Sequence, residues 1–447
     1  MKIGVISMTM AMEERNRLIG ENLRKYRLLK GLTQDELAEG LCSVSQLSKV
    51  ENGKTYLKRT ILKEMANRLG VTVERIESQD ALLEELSETL QLAQDSHTAG
   101  NVPKALELTQ EVVQQSRNFG YEDLYLNSIL LECQLLNSVN QCARVIGIVQ
   151  DLFQGDVCLS DSYKVMFQFE LGNAHERSGN LMDAYDAFSR AESYFDQFEG
   201  DTDTRYKINY ALGRSNFIMN NNRTALRYFE KAEQIAQELS RHLWLIRARY
   251  MKATMLKRLG DYEQAEIIFT TTLKEAQDNQ FLLDVGLINS NMGCMFLEKG
   301  EYGSAQTHLT RALKVYEILD QTYYKADTLF HLAKLKYQEG DLERAKEVIE
   351  KLMVDTEPVA NQTYIDRAKA IRLLSFIKRD LGDFEGQITQ LGNALKIFED
   401  NYVMLEAYKV AKEIADLFFE KNDSRAVEMY RKAVQCNEGF LTLNGRG

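Results

Sequence analysis

A glycine followed five residues later by an alanine recurs through most of this chain, at Gly179–Ala184, Gly260–Ala265, Gly300–Ala305 and Gly340–Ala345, with asparagine in the glycine's place at Asn220–Ala225. Neighbouring copies are 40 or 41 residues apart. Weaker copies extend the series upstream at Gly100–Ala105 and Ser138–Ala143, and downstream at Gly382–Gln387 and Lys421–Ala426. Seven positions before the glycine, or its substitute, stands a small residue: Gly172, Gly213, Ala253, Gly293, Ala333, Ser375. Nine positions after it stands a large apolar one: Phe188, Phe229, Phe269, Leu309, Ile349, Leu391. Small residues let two antiparallel helices approach closely, and the bulky side chain fills the gap toward the next pair. One such pair cannot bury its own apolar face, so a sequence repeating in this way must stack. With only two prolines, Pro103 and Pro358, and no alternating Val/Ile-rich runs, the expected fold class is all-α.

The pattern resembles the tetratricopeptide repeat (TPR), whose period is usually ~34. A period near 40 makes each helix longer by about one turn. The expectation for residues 99–440 is a right-handed superhelix of roughly eight or nine helix pairs, the first helix of each pair lining the concave face. In that register the groove positions are Phe169, Glu170 and Asn173, then Tyr210 and Arg214, then Arg247, Tyr250 and Thr254, then Ser290 and Asn291, then Phe330, His331 and Lys334, and finally Arg372. Amide, aromatic and basic groups mixed in this way suit an extended peptide. Asn offers both a donor and an acceptor to an unpaired backbone, and Arg or Lys meets a carboxylate. The candidate peptide-binding set is Glu170, Asn173, Arg214, Arg247, Tyr250, Asn291, His331 and Lys334, with Asn291 in "NSNMGC" foremost.

Residues 13–76 have a different character. They hold 13 Lys/Arg against 9 Asp/Glu; with Lys2 counted and the whole chain at −11, Glu77 onward carries −16. A basic head on an acidic body points to nucleic acid at one end and another partner at the other. Leu18, Ile19, Leu23, Tyr26 and Leu29 form one helical stripe that ends at Gly31. Thr33 and Glu36 form a capping box opening a second helix. A third runs through "SVSQLSKVENG", and "TILKEMANRLG" and "VERIESQ" supply a fourth and fifth. Five short helices, the second and third joined by a tight turn at Glu39–Ser43, make a helix-turn-helix.

"LTQDELA", "SQLSKVENGKT" and "ILKEMANRLGV", in that order, resemble the Cro/phage-repressor (XRE) type of DNA-binding domain. The resemblance implies that Gln34 bonds a phosphate, that Ser43, Val44, Ser45 and Lys49 face base edges with Gln46 close by, and that Asn52 and Lys54 hold the backbone. It also implies an internal Arg27–Glu51 ion pair, and double-stranded DNA bound by a dimer. Leu57 stands where many relatives carry proline.

Catalysis is not expected. The five histidines are dispersed, and no Ser/His/Asp set, phosphate loop or paired carboxylates on one face stand out. The six scattered cysteines form no CxxC and fit a reduced, cytosolic chain with no metal or other cofactor. "MKIGVISMTMAM" is too short and too weakly apolar to span a bilayer, and either Met1 or Met12 could start translation. A soluble cytoplasmic protein is expected.

An XRE head on a long-period TPR body resembles the RRNPP family of peptide-pheromone receptors, most of all its NprR-type branch, in "GLTQDELAEGLCSVSQLSKVENGKTY" and "NMGCMFLEKGEY". That resemblance implies a quorum-sensing transcription regulator whose TPR groove takes an imported signalling oligopeptide, changing how homo-oligomers, dimeric or higher, are arranged on DNA. Residues 77–98 would be the linker helix transmitting the change. The alternative within the same architecture is a protein-interaction adaptor that binds or sequesters a response regulator.

Overall fold

The computed structural model describes residues 2–77, 81–155, 158–196, 201–357 and 360–443, with side chains from residue 16. Every regular element among them is a helix, and the chain divides into two compact units, residues 1–179 and 180–447.

The head is formed by α1 (Lys2–Leu29), α2 (Gln34–Ala38), α3 (Val44–Glu51), α4 (Arg59–Leu69) and α5 (Val73–Glu77). Leu23, Tyr26, Leu37, Leu47, Val50, Leu62, Met65, Leu69 and Ile76 make its core. The first helix starts far earlier than the expected stripe. Leu29, counted on that stripe, is 39% exposed because α1 ends there and the chain turns away at Gly31. Gly20 lets α1 lie against α3: a Cβ there would come within 2.0 Å of the Val50 carbonyl oxygen. Thr33 caps α2 as expected, its hydroxyl accepting from the Glu36 N–H while Glu36 accepts from the Thr33 N–H.

Eighteen helices follow. In the first unit they are α6 (Ala81–Thr98), α7 (Val102–Phe119), α8 (Glu122–Ser138), α9 (Cys142–Gln154) and α10 (Asp161–Arg177). The second unit holds α11 (Leu181–Phe195), α12 (Thr202–Ile218), α13 (Asn222–Glu238), α14 (His242–Arg258), α15 (Tyr262–Asp278), α16 (Leu282–Lys299) and α17 (Tyr302–Ile318). It continues with α18 (Thr322–Gln338), α19 (Leu342–Asp355), α20 (Ala360–Asp380), α21 (Phe384–Asp400), α22 (Met404–Glu420) and α23 (Arg425–Leu443). Residues 78–80 of the expected connector lie outside the described residues. Glu77 ends α5, and the rest of the connector is α6, whose Leu82, Leu86, Leu90 and Ala93 pack with Ala105, Leu108 and Val112 of α7.

The repeat register rests on backbone chirality. Gly100, Gly179, Asn220, Gly260, Gly300, Gly340, Gly382 and Asn422 all have positive φ, and the chain reverses direction at each. Glycine adopts that conformation without a Cβ penalty, and asparagine is the tolerated substitute. One upstream copy is out of register: the reversal falls at Asn140, φ 59°, and not at Ser138, which ends α8. Val145, fully buried, then takes the place expected of an alanine. Phe188, Phe229, Phe269, Leu309, Ile349 and Leu391 are all buried. Their fit to the small residues is tight. A Cβ on Gly213 would meet the Phe229 ring at 2.8 Å, and one on Gly293 would meet the Leu309 side chain at 2.6 Å.

The turns back into the next pair are less well matched to their residues. Tyr402, between α21 and α22, holds φ 57° with its side chain 74% exposed, so nothing it buries offsets the left-handed strain. Tyr402→Gly is expected to raise unfolding free energy by about 1 kcal/mol. Denaturant melts of the two proteins check this, and an unchanged midpoint would show that the strain costs nothing.

Candidate functional site

In the head, α2 and α3 meet across Gly40, and α3 is capped by Ser43, whose Oγ accepts from the Gln46 N–H. Capping fixes the start of α3. From there Ser43, Val44, Ser45, Gln46 and Lys49 are exposed along it, and Asn52 and Lys54 are exposed beyond its end. Leu47 and Val50 point the other way, into the core.

Beneath this face lies the Arg27–Glu51 pair. Arg27 Nε donates to Glu51 Oε1 at 2.7 Å and Nη2 to Oε2 at 3.0 Å, and both side chains are more than nine-tenths buried. Two expected phosphate ligands are already partly engaged. Gln34 Nε2 donates to Glu51 at 2.7 Å and Asn52 Nδ2 donates to the Ser48 carbonyl at 2.6 Å, leaving one N–H on each amide for another acceptor. Arg68 escaped the sequence reading. From the last turn of α4 its Nη1 reaches the carbonyls of Glu36, Leu37 and Glu39 at 3.1, 3.0 and 2.8 Å, closing the open end of α2.

In the second unit, the first helices of successive pairs carry a linked row of polar groups. The Tyr210 and Tyr250 hydroxyls bond across α12 and α14, and burial raises the pKa of both phenols. Arg247 Nε donates to the buried Asp284 at 3.2 Å, joining α14 to α16. Burial raises the Asp284 pKa despite this cation. Thr254 bonds the Tyr250 carbonyl at 2.8 Å and approaches Asn291 Oδ1 at 3.4 Å, while Asn291 Nδ2 donates back to Leu287 O at 3.0 Å. Ser290 and Thr328 share a buried hydrogen bond of 3.1 Å between α16 and α18. Arg372 donates to Glu413 at 2.7 Å between α20 and α22. Arg214, Arg247, Tyr250, Asn291, His331 and Lys334 are all half-buried.

His331 is a special case. Burial works against its charge, but Cys294 and the Asp327 carboxylate, 3.5 Å away, more than reverse this and lift its pKa to about 10. The folded chain therefore keeps a proton that the unfolded chain, with an ordinary histidine near 6.5, releases. This stabilisation is complete below that lower value and is lost as pH rises through about 10. The melting temperature is expected to fall more steeply from pH 7 to 10 in the native chain than in His331→Gln. Parallel slopes would rule out the linkage.

Two of the peptide-binding candidates fall in the first unit, and one requires a correction. Glu170 does not open onto a groove: it is 8% exposed, and its carboxylate accepts from Asn137 at 2.8 Å and from Asn173 at 3.4 Å. Its helix position turns toward α8, where a carboxylate must be hydrogen-bonded to be buried. Asn173 is half-buried beside it. Among the described residues no His/Cys/Asp/Glu group could hold a metal, and no helix is long and apolar enough to cross a membrane.

Comparison with known proteins agrees with this fold. A helix-turn-helix family model matches residues 23–76, and tetratricopeptide models match residues 203–274 and 326–353. The transcriptional activator NprA of Geobacillus stearothermophilus is 23% identical over 428 residues, which is 91% of this chain and 100% of that protein. Response regulator aspartate phosphatase I of Bacillus subtilis (strain 168) is 22% identical over 285 residues, 62% of this chain and 69% of that protein. Among solved structures, the apo form of the quorum sensor NprR from B. thuringiensis aligns with a TM-score of 0.60 at 18% identity, over 79% of this chain and 99% of that one. NprR with its cognate peptide NprX aligns at 0.53 and 16% identity, over 78% of this chain and 99% of that one. A helix-turn-helix head followed by tetratricopeptide repeats is what the family models match in this chain, and its fold is similar to that of the NprR structures.

Proposed function

We propose that this chain is a transcription regulator whose DNA-binding head, residues 13–76, is governed by a signalling oligopeptide held along its TPR body, residues 99–440, with residues 77–98 between them and homo-oligomers as the working form. The observation that carries the reading is the half-buried row Arg214, Arg247, Tyr250, Asn291, His331 and Lys334, set on successive first helices of a chain that also carries the exposed α3 face. The printed descriptions of NprA as a transcriptional activator and of NprR as a quorum sensor with a cognate peptide support it. A peptide that binds one arrangement better than another shifts the population by that difference in affinity alone.

The test is calorimetric titration of the chain with synthetic peptides drawn from the secreted proteome of its own organism, followed by gel shift on upstream DNA with and without the binder. One peptide is expected to bind, to bind at least tenfold more weakly to Asn291→Ala, corresponding to about 1.4 kcal/mol, and to change the shift. Lys49→Ala should lose the shift and keep the peptide. No binding by any peptide sinks the proposal.

The similarity to response regulator aspartate phosphatase I favours a second reading, an adaptor that binds a response regulator. Pull-down of such a protein, lost on substituting exposed residues between 90 and 180, would support it. Operator binding as the sole activity would exclude it.

A further inference from the structure

The head is tied to the first helix pair of the body by side-chain contacts in addition to the chain itself. Lys25, on α1, is half-buried, and its Nζ donates to the Tyr121 hydroxyl at 2.6 Å while lying 4.6 Å from the centre of the same ring. With the oxygen this close, the ammonium lies off the ring's edge, and one charge-assisted hydrogen bond joins the pair. Tyr121 is itself well placed to hold. It follows Gly120, whose φ of 72° ends α7, and its own N–H donates to the Ser116 carbonyl at 3.0 Å. A second contact lies nearby, Arg75 of α5 with Glu85 of α6 at 3.1 Å.

Both contacts surround the Tyr26 phenol, which is 5% exposed, with no partner for its hydroxyl among the described residues. Burial, and then Glu85, raise its pKa, with Arg75 opposing and Tyr121 adding. Arg75 of the head and Glu85 and Tyr121 of the body thus act on one residue of the head's core.

None of these residues belongs to the α3 face, where Ser45, Gln46 and Lys49 stay exposed. The contact therefore leaves the reading surface open. We propose that Lys25–Tyr121, supported by Arg75–Glu85, is a latch that fixes the orientation of the DNA-reading head on the α6–α8 segment, making Tyr121 a positioning residue for operator choice. The part concerning operators rests on the DNA-binding reading above; the latch itself does not. Two-fold binders choose the spacing between half-sites by geometry, so a head held in one orientation accepts one spacing, and a head hung only on the chain accepts several.

The experiment uses the full-length chain and Tyr121→Leu, a change outside the head that removes the hydroxyl and the ring together. Nitroxides attached at Lys63 and Glu111, exposed on α4 and α7, report the head-to-body distance by pulsed electron resonance. A single narrow distribution in the native chain that broadens in Tyr121→Leu is the expected result. Distributions equally broad, or equally narrow, in the two chains overturn the latch. This readout needs no DNA, so it stands whether or not the head binds an operator.

On paired half-sites of varied spacing, Tyr121→Leu should flatten a preference of about tenfold or more for one spacing. Affinity for an isolated half-site should be unchanged. Equal spacing preference in both chains would overturn the positioning role. Loss of single-site affinity in Tyr121→Leu would do so as well, since it would show damage to the head itself.

Discussion

Glu51→Ala is expected to unfold the head while the helix pairs of the body remain folded. Removing the carboxylate strands the Arg27 guanidinium in the core: Nε and Nη2 lose their acceptors, and only Nη1 keeps one, the Leu32 carbonyl at 2.8 Å. Breaking a buried pair from one side costs about 3–5 kcal/mol, because the surviving charge is neither solvated nor compensated. That approaches the whole stability of a small domain, about 5 kcal/mol at the low end. Gln34 also loses the group that holds its amide at 2.7 Å, so the expected phosphate ligand is released from its place at the same time.

The measurement is amide hydrogen exchange followed by segment. Protection should vanish from α1 through α4 and persist in α14 to α18. The double variant Arg27→Met/Glu51→Leu should recover most of it, because an apolar pair of similar volume removes the desolvation penalty together with the charges. If the single and double variants are equally unfolded, Glu51 matters for its shape and not for its charge.

The second large effect is expected in the body. Phe229→Ala should cost about 3–5 kcal/mol, the usual range for emptying a fully buried aromatic site. The ring is completely buried, fills the space that Gly213 leaves by having no Cβ, and stands edge-on to Tyr210 at 5.5 Å. Since each pair packs chiefly on its neighbours, the loss should spread along the array and not stay local. Tyr210 makes the link to the polar row, because its hydroxyl partner is Tyr250. Slackness behind Tyr210 should therefore appear as faster exchange in α14, and as weaker binding of whatever that row holds. Gly213→Ala gives the complementary check. Alone it should destabilise, since its Cβ would stand 2.8 Å from the ring; combined with Phe229→Leu it should cost much less. Strict additivity of the two changes would mean that they do not share one space.

What could be read from the sequence was whatever local chemistry decides. The Thr33–Glu36 capping box, the Gly213–Phe229 and Gly293–Leu309 fits, and the reversals at glycine or asparagine all follow from one residue's geometry repeated at fixed spacing. The misreadings came where a decision depended on distant chain. Ser138 fits the reversal by the alanine five residues after it, but the helix ends there and Asn140 turns. Glu170 occupies a groove position by register, yet Asn137, 33 residues away, takes its carboxylate inward. Arg68, which closes α2, and Tyr121, which meets Lys25 across 96 residues, carry no local signature at all. Pairing across such separations is a property of packing, and one chain's periodicity does not encode it.

The linked row on α12 to α18 has a consequence for anything that settles there. Thr254 already answers Asn291, Tyr210 already answers Tyr250, and Arg247 already answers Asp284. A visiting chain cannot simply add bonds to such a surface; it must trade partners with it. An exchange of like for like yields little net free energy, whereas a mismatch leaves a half-buried group with nothing to hold. Such a surface discriminates better than it grips, rejecting poorly matched sequences more strongly than it retains the right one. A ligand held in this way would leave readily once its supply falls.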